Sequence, residues 1–210
     1  MIQTRRPPAG GAAPQRVRII GGQWKRSILP VPAGQGLRPT PDRVRETVFN
    51  WINHLVEARW RGLRCLDLFA GSGALGFEAA SRGAAQVLMV EHHAPAVRHL
   101  QAAAARLGAS QVEVRRADAR IAARELARQG ERFDLVFLDP PYHQDWLEKM
   151  LPECAELLAC EGLVYAESEQ PLDGESPPAW MEGWDIVRAD RAGMVFYHLL
   201  QRKSGPGIRA

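Results

Sequence analysis

Cys65-Leu66-Asp67-Leu68-Phe69-Ala70-Gly71-Ser72-Gly73-Ala74-Leu75-Gly76 is the stretch around which the chain is organised. An apolar run carries an acid at its end, breaks into a glycine turn and then opens a helical pattern. Strand, tight turn and helix N-terminus in that order make a holder for a small ligand. Gly71 to Gly76 matches G-x-G-x-x-G, and Glu91 closes the next apolar run, so spacing alone would also allow a dinucleotide fold. Asp67 argues against that. It stands four residues before Gly71, where it would repel a pyrophosphate and attract a cation. S-adenosylmethionine offers such a cation, with a sulfonium, an ammonium and no phosphate.

Outward from this turn, apolar runs alternate with helical patterns. Strands are predicted over 63–68, 86–91, 111–115, 133–138 and 163–167. Helices are predicted over 73–82, 95–107, 119–129 and 144–158, with Gly83, Gly108 and Gly130 closing three of them. Such alternation builds a parallel α/β sheet, here a Rossmann-like one. The runs 184–188 and 194–200 have no helix between them, so they are expected as an antiparallel hairpin at the sheet edge. Upstream, 16–20 and 23–29 flank Gly21-Gly22 and predict a small basic hairpin. Thr40 suits an N-cap, Pro41 a first helical position, and Val44, Val48, Trp51, Ile52 and Leu55 keep helical spacing over 41–57. The expected organisation is a flexible tail (1–15), a basic extension (16–57), the α/β domain (58–202) and a short tail (203–210).

With 210 residues, 46% hydrophobic and 24% charged, the chain suits a soluble globular protein with a substantial core. No apolar run approaches the roughly 20 residues that span a bilayer. Met1 to Pro14 has no apolar segment of a secretory signal. Cys65, Cys154 and Cys160 show no paired spacing and are read as reduced thiols of a cytoplasmic protein without a zinc site. Charge is unevenly placed. Residues 1–45 hold nine basic residues and one acid, whereas the whole chain is only +3. A basic arm on a mildly acidic body suits a polyanionic partner.

Asp67, Glu91, Asp118 and Asp139 each lie at or just beyond a predicted strand end. In an open parallel sheet, ligands bind outside the carboxyl ends, at the switch in strand order. A solvated loop explains any one of these acids, but it explains four in register poorly, and unpaired core carboxylates are costly. The cofactor contacts then follow. Gly71 and Gly73 let backbone approach the methionine part, with Phe69 and Ala70 in the same turn. Glu91 can accept both ribose hydroxyls, with His92 beside it. Asp118 can accept from the adenine amino group, and the Ala119 N–H can reach the ring. His92 and His93 lack a third ligand, so no metal is expected.

Asp139-Pro140-Pro141-Tyr142 is the most specific signal. An exocyclic amino group on a base is a poor nucleophile, because its lone pair is delocalised into the ring. The Asp139 carboxylate and the Pro140 carbonyl, accepting its two hydrogens, would localise that pair towards a methyl donor. Positioning and preorganised acceptors would supply most of the rate. Tyr142 offers a face on which a flipped base could stack.

The motifs Asp67-Leu-Phe-Ala-Gly-Ser-Gly73 and Asp139-Pro-Pro-Tyr142 resemble those of Rossmann-like, S-adenosylmethionine-dependent amino methyltransferases. Arg18-Ile-Ile-Gly-Gly-Gln-Trp24, Leu37-Arg-Pro-Thr40, the run from Asp42 to Trp51, and Glu167-Ser-Glu169 narrow the resemblance. Together they are similar to bacterial 16S ribosomal RNA guanine-N2 methyltransferases of the small subunit, over about residues 16–200. The resemblance implies a seven-stranded sheet and transfer of one methyl group to a guanine N2 in 16S rRNA. It implies a 30S particle, assembled or assembling, as partner. It places Gly71, Glu91, Asp118 and Ala119 at the cofactor, Asp139 and Tyr142 at the base, and Arg38 and Thr40 near the site. His93 stands where relatives often carry a second acid. A monomer is expected.

Arg18, Lys25, Arg26, Arg38, Thr40 and Arg43 are the candidate RNA contacts, with Arg45 a further one. Phosphate contacts of this kind give affinity and salt sensitivity without choosing the base. Arg43 and Arg45 could instead pair with Asp42 or Glu46 on their own helix. Competing readings are a DNA adenine-N6 methyltransferase, a non-catalytic cofactor-binding assembly factor and an NAD-dependent oxidoreductase.

Overall fold

The computed structural model describes residues 16–30, 40–172 and 177–203. The expected tail 1–15, nearly all of 203–210, and Arg38 lie outside the described residues. A two-stranded ribbon pairs β1 (Arg16–Arg18) with β2 (Ile28–Pro30), and α1 (Asp42–Leu55) follows. The chain then alternates: β3 (Arg64–Asp67), α2 (Ala74–Arg82), β4 (Gln86–Glu91), α3 (Ala94–Leu107), β5 (Val112–Arg116), α4 (Ala119–Arg128), β6 (Phe133–Leu138), α5 (Trp146–Ala155) and β7 (Leu158–Ser168). It ends in β8 (Trp184–Ala192) and β9 (Val195–Arg202).

The seven-stranded sheet has the order β5-β4-β3-β6-β7-β9-β8. Strands β3 to β7 are parallel neighbours, and β9 runs antiparallel between β7 and β8. The chain moves outward from β3 through β4 to β5, then returns to place β6 on the other side of β3. The switch in strand order therefore lies between β3 and β6, the position at which open α/β sheets bind ligands.

Two apolar layers cover the sheet. One side packs α1 (Val44, Val48, Phe49, Ile52), α2 (Phe77, Ala80) and α3 (Leu100, Ala103) against Cys65, Phe137 and Tyr165. The other packs α4 (Ala122, Ala123, Leu126) and α5 (Met150, Leu151, Cys154) against Leu66, Val136 and Val164. Burial of each large aliphatic or aromatic side chain is worth about 1.5–3 kcal/mol. The α1 helix is thus fixed to the sheet by its apolar stripe. Val17, Ile19 and Leu29 of the ribbon join the same layer, while Arg16 and Arg18 stay exposed. No helix among the described residues is long and apolar enough to cross a membrane.

Two expected features are corrected. The expected basic hairpin forms, with β1 antiparallel to β2 and Ile19 bonded to Ser27 and Arg26, but its connection is longer than Gly21-Gly22 and lies on α2. The N–H groups of Ile20 and Gly21 donate to Glu78 at 2.7 and 2.9 Å, and the Gln23 and Trp24 N–H groups donate to Ser81. A Cβ on Gly22 (φ +74°) would sit 1.8 Å from the Ser81 carbonyl oxygen, so this glycine permits close docking on the helix. The helix expected over 144–158 ends at Ala155, because the Leu157 carbonyl accepts from the Phe133 N–H and Leu158 already pairs in β7.

Candidate active site

The acids of the parallel strands form a row along the carboxyl edge. In sheet order they are Asp118 beyond β5, Glu91 closing β4, Asp67 closing β3 and Asp139 just beyond β6. The register sets Asp67 beside Met89 and Phe137, so Glu91 and Asp139 stand two residues further out on either side. A fifth acid continues the row. Leu138 pairs with Ala166, which sets Glu167 of β7 opposite Asp139.

Asp67 is 1% exposed and accepts from the Gly76 N–H at 3.2 Å through Oδ2. Its Oδ1 is buried without a hydrogen-bond partner of normal geometry. Burial, with Glu91 adding, pushes the carboxyl up to about 7, while the Gly76 and Phe69 amides pull the other way. A buried acceptor with a free lone pair fits the cationic end of S-adenosylmethionine. Gly73 (φ +77°) shapes the turn above it. A Cβ there would lie 2.6 Å from both Leu100 Cδ2 and Phe77 Cδ2, so only glycine lets the turn pack so closely. Phe69 turns edge-on to Trp146, with ring centroids 5.2 Å apart.

Glu91 holds the turn as well as facing the site. Its Oε2 accepts from the Gly71 N–H at 2.9 Å, and its Oε1 from the His93 N–H at 2.7 Å. Each oxygen keeps a second lone pair, so the carboxylate can still accept from a ribose diol. His92 is largely exposed, with Nδ1 3.3 Å from Glu91 Oε1. Ala70 is fixed by its N–H to the Val90 carbonyl. Asp118 is the N-cap of α4, where Oδ1 accepts from the Arg120 and Ile121 N–H groups at 2.9 and 3.0 Å. That capping role was legible in the sequence and was missed there. It orients the carboxyl and leaves Oδ2 for an adenine amino group, with Ala119 as the first helical residue.

On the other side of the switch, Asp139 and Glu167 share the hydroxyl of Thr40. Thr40 Oγ1 lies 3.1 Å from Asp139 Oδ2 and 2.7 Å from Glu167 Oε1, and the Tyr165 hydroxyl donates to the same Oε1 at 2.7 Å. Thr40 is 5% exposed and Glu167 4%. The RNA contact and the N-cap expected of Thr40 are therefore corrected: Pro41 is the N-cap of α1, and Thr40 before it turns inward onto the carboxyl groups. Burial, then the charge of Glu167, then that of Asp67 raise Asp139 well above the carboxylate range, against the Thr40 hydrogen bond. Burial also raises Glu167, opposed by hydrogen bonds from Tyr165, Thr40 and Asp139. Glu167 and Tyr165 had no assigned role at the sequence level. The signal was present, because Glu167 ends a parallel strand as the other acids do.

Pro140 is buried, and Tyr142 stands 39% exposed at the mouth. The loop after it is tied to the residue that follows β7: the His143 N–H donates to Glu169, and His143 Nδ1 is 2.8 Å from Glu169 Oε2. Positive φ at His143 (62°) and Asp145 (51°) turns the chain sharply into α5.

The basic residues divide into two sets. Lys25, Arg26 and Arg43 are exposed. Arg18 is exposed and paired with Asp42 at 3.0 Å. Arg45 is wholly buried and is not available to RNA: it bonds Asp42 at 2.6 Å, the Arg18 carbonyl at 2.9 Å and the Thr40 carbonyl at 3.3 Å.

Comparison with known proteins agrees with this architecture. The family described as Conserved hypothetical protein 95 matches residues 17–201. "Ribosomal RNA small subunit methyltransferase D" of Escherichia coli (strain K12) is 42% identical over 191 residues, 90% of this chain and 91% of that one. The protein of the same name from Haemophilus influenzae is 38% identical, covering 88% and 93%. The solved structure of a putative methyltransferase from Escherichia coli superposes with a TM-score of 0.75 at 39% identity, covering 90% of this chain and 99% of that one. With nearly its whole described length matched in this way, the chain belongs to the Conserved hypothetical protein 95 family.

Proposed function

We infer that this chain is an S-adenosylmethionine-dependent methyltransferase of small-subunit ribosomal RNA. We further infer that its target is the exocyclic N2 amino group of one guanine in 16S rRNA, presented by the 30S particle. The observation that carries the reading is the row of acids across the switch point, with Asp139-Pro140-Pro141-Tyr142 on one side and the Gly71–Gly73 turn on the other. When bound, the cofactor supplies an electrophilic methyl group on a sulfonium.

Asp67, Gly71, Gly73, Glu91, Asp118 and Ala119 hold the cofactor, and Phe69, Ala70 and His92 border it. The cationic end belongs over Asp67 and the nucleoside towards β4 and β5. Asp139 and the Pro140 carbonyl accept the two amino hydrogens and aim the nitrogen lone pair across the switch. Tyr142 stacks the base, and its exposure suits a partner that arrives from solvent. Arg18, Lys25, Arg26, Arg38 and Arg43 meet phosphates and set register on the RNA. Residues 16–57 thus act as an RNA-facing extension of the catalytic domain.

Transfer of tritium from labelled S-adenosylmethionine to 30S particles, free 16S rRNA and DNA tests this reading, followed by nucleoside analysis of the product. N2-methylguanosine in 16S rRNA is expected. No label in RNA, or label in DNA alone, overturns the reading.

A further inference from the structure

The Thr40 hydroxyl sits between the buried carboxyl group of Glu167 and the half-buried one of Asp139. It has a single proton, so it cannot donate to both. Glu167 Oε1 receives the shorter contact, and the Tyr165 hydroxyl donates to it as well. Two donors stabilise an anion there. For Thr40 also to bond Asp139 Oδ2 at 3.1 Å, the Asp139 side must carry a proton. Two like charges this close, in a buried setting and with no ion pair to either among the described residues, do not both ionise. The groups facing the pair agree. Asp139 sees Glu167, Thr40 and Asp67. Glu167 sees Tyr165, Thr40 and Asp139. Tyr197 lies beyond Tyr165.

We propose that Asp139 and Glu167 hold one proton between them, and that the Thr40 hydroxyl passes it from Asp139 to Glu167 when a base amino group enters. This rests on the reading that Asp139 receives the base. In the empty site Asp139 carries the proton and Glu167 the charge. To accept an amino hydrogen, Asp139 must be ionised. One concerted shift achieves this: the Asp139 Oδ2 proton moves to Thr40 Oγ1 as the Thr40 proton moves to Glu167 Oε1. No atom leaves the site, and the charge moves to Asp139. Methylation leaves the amino nitrogen with one proton too many, and Asp139 takes it. Both carboxyl groups are then neutral. One proton leaves through the partly open Asp139 side, and the proton held by Glu167 then returns to Asp139 through Thr40, restoring the starting state. Glu167 and Thr40 are positioning residues for this step, since neither touches the reacting atoms. The device also explains why a half-buried acid that starts protonated can serve as an acceptor.

The test uses the whole protein and pH profiles of kcat/KM, which report the free enzyme. Thr40→Val keeps shape and removes the bridge. Asp139 must then lose its proton to solvent while Glu167 is still charged. Activity should fall roughly tenfold or more near neutral pH and recover as pH rises. Adding Glu167→Gln to Thr40→Val removes the anion that holds the proton on Asp139, so the acidic limb should move back to lower pH. Thr40→Ser should behave as the parent. A readout free of activity comes from infrared spectra of the ligand-free protein at a pH where Asp67 is ionised. A protonated-carboxyl band should be present, and it should be absent from Asp139→Asn and from Glu167→Gln. A Thr40→Val profile parallel to the parent, a double variant no better than the single one, or a band that survives Glu167→Gln overturns the proposal. Should Thr40→Val not fold, the infrared comparison decides alone. If Asp139→Ala keeps its turnover, the assignment of Asp139 fails. If Asp139→Ala is inactive while these profiles and bands are unmoved, only the shared proton fails.

Discussion

The two halves of the acid row are built differently. On the side proposed for the cofactor, Asp67, Glu91 and Asp118 are held by backbone N–H groups 2 to 20 positions away, namely those of Gly76, Gly71, His93, Arg120 and Ile121. On the base side, Asp139 and Glu167 are held by the side chains of Thr40 and Tyr165, with Thr40 separated from them by 99 and 127 positions. Backbone amides from the same or the adjoining βα unit make a rigid cradle whose donors are fixed by the main chain. Side chains gathered from distant elements make an adjustable pair whose proton can move.

Asp139→Ala should break the contrast most sharply. Turnover should fall by about a hundredfold or more, while cofactor affinity stays within a few-fold, because the cradle is a separate set of contacts. Methyl-transfer kinetics and calorimetric titration with the cofactor check both halves; unchanged turnover removes Asp139 from its role.

Gly73→Ala attacks the cradle in return. The added Cβ meets two buried side chains at 2.6 Å on a left-handed backbone, so a stability loss of about 1–3 kcal/mol is expected. A lower urea midpoint together with weaker cofactor binding would show it. Full stability with normal binding would mean that the turn is not rigid.

Asp67 gives a smaller, pH-dependent effect. Its carboxyl is raised to about 7, so the cationic cofactor should bind more weakly as pH falls below that value, by about tenfold per unit at most. Binding below pH 7 should release a proton, visible as buffer-dependent calorimetric heat. The linkage to folding has the opposite sense. A raised acid binds its proton more tightly when folded, so its contribution to stability is greatest below the unfolded value near 3.8 and is lost as pH rises towards 7.

The smallest effect is expected at the segment that connects β1 and β2. Replacing Lys25 and Arg26 by Ala should weaken RNA binding a few-fold and leave cofactor affinity alone. The salt slope should fall by up to about 0.9 for each phosphate that is no longer neutralised. An unaltered slope would place the RNA contacts elsewhere.

Most of the fold was legible because it follows local rules. Glycines ended α2 and α3, apolar runs marked β3 to β6, and the acids at their ends marked the binding edge. What misled was local too. Gly21-Gly22 reads as a turn, yet Gly22 serves an approach to Ser81 that no neighbouring residue announces. Thr40 reads as an N-cap beside a basic arm, and Arg45 as a surface cation, until α1 docks and buries both.

The sequence by itself determined the parallel α/β order, the glycine turn behind Asp67 and the Asp-Pro-Pro-Tyr loop, because each is encoded by residues within a few positions of one another. Only the tertiary structure decided that β6 returns beside β3, that Glu167 stands opposite Asp139, and that one hydroxyl from before α1 bridges them. Those pairings depend on which faces pack together. Packing sums apolar contacts over the whole chain, so no short window of sequence contains it.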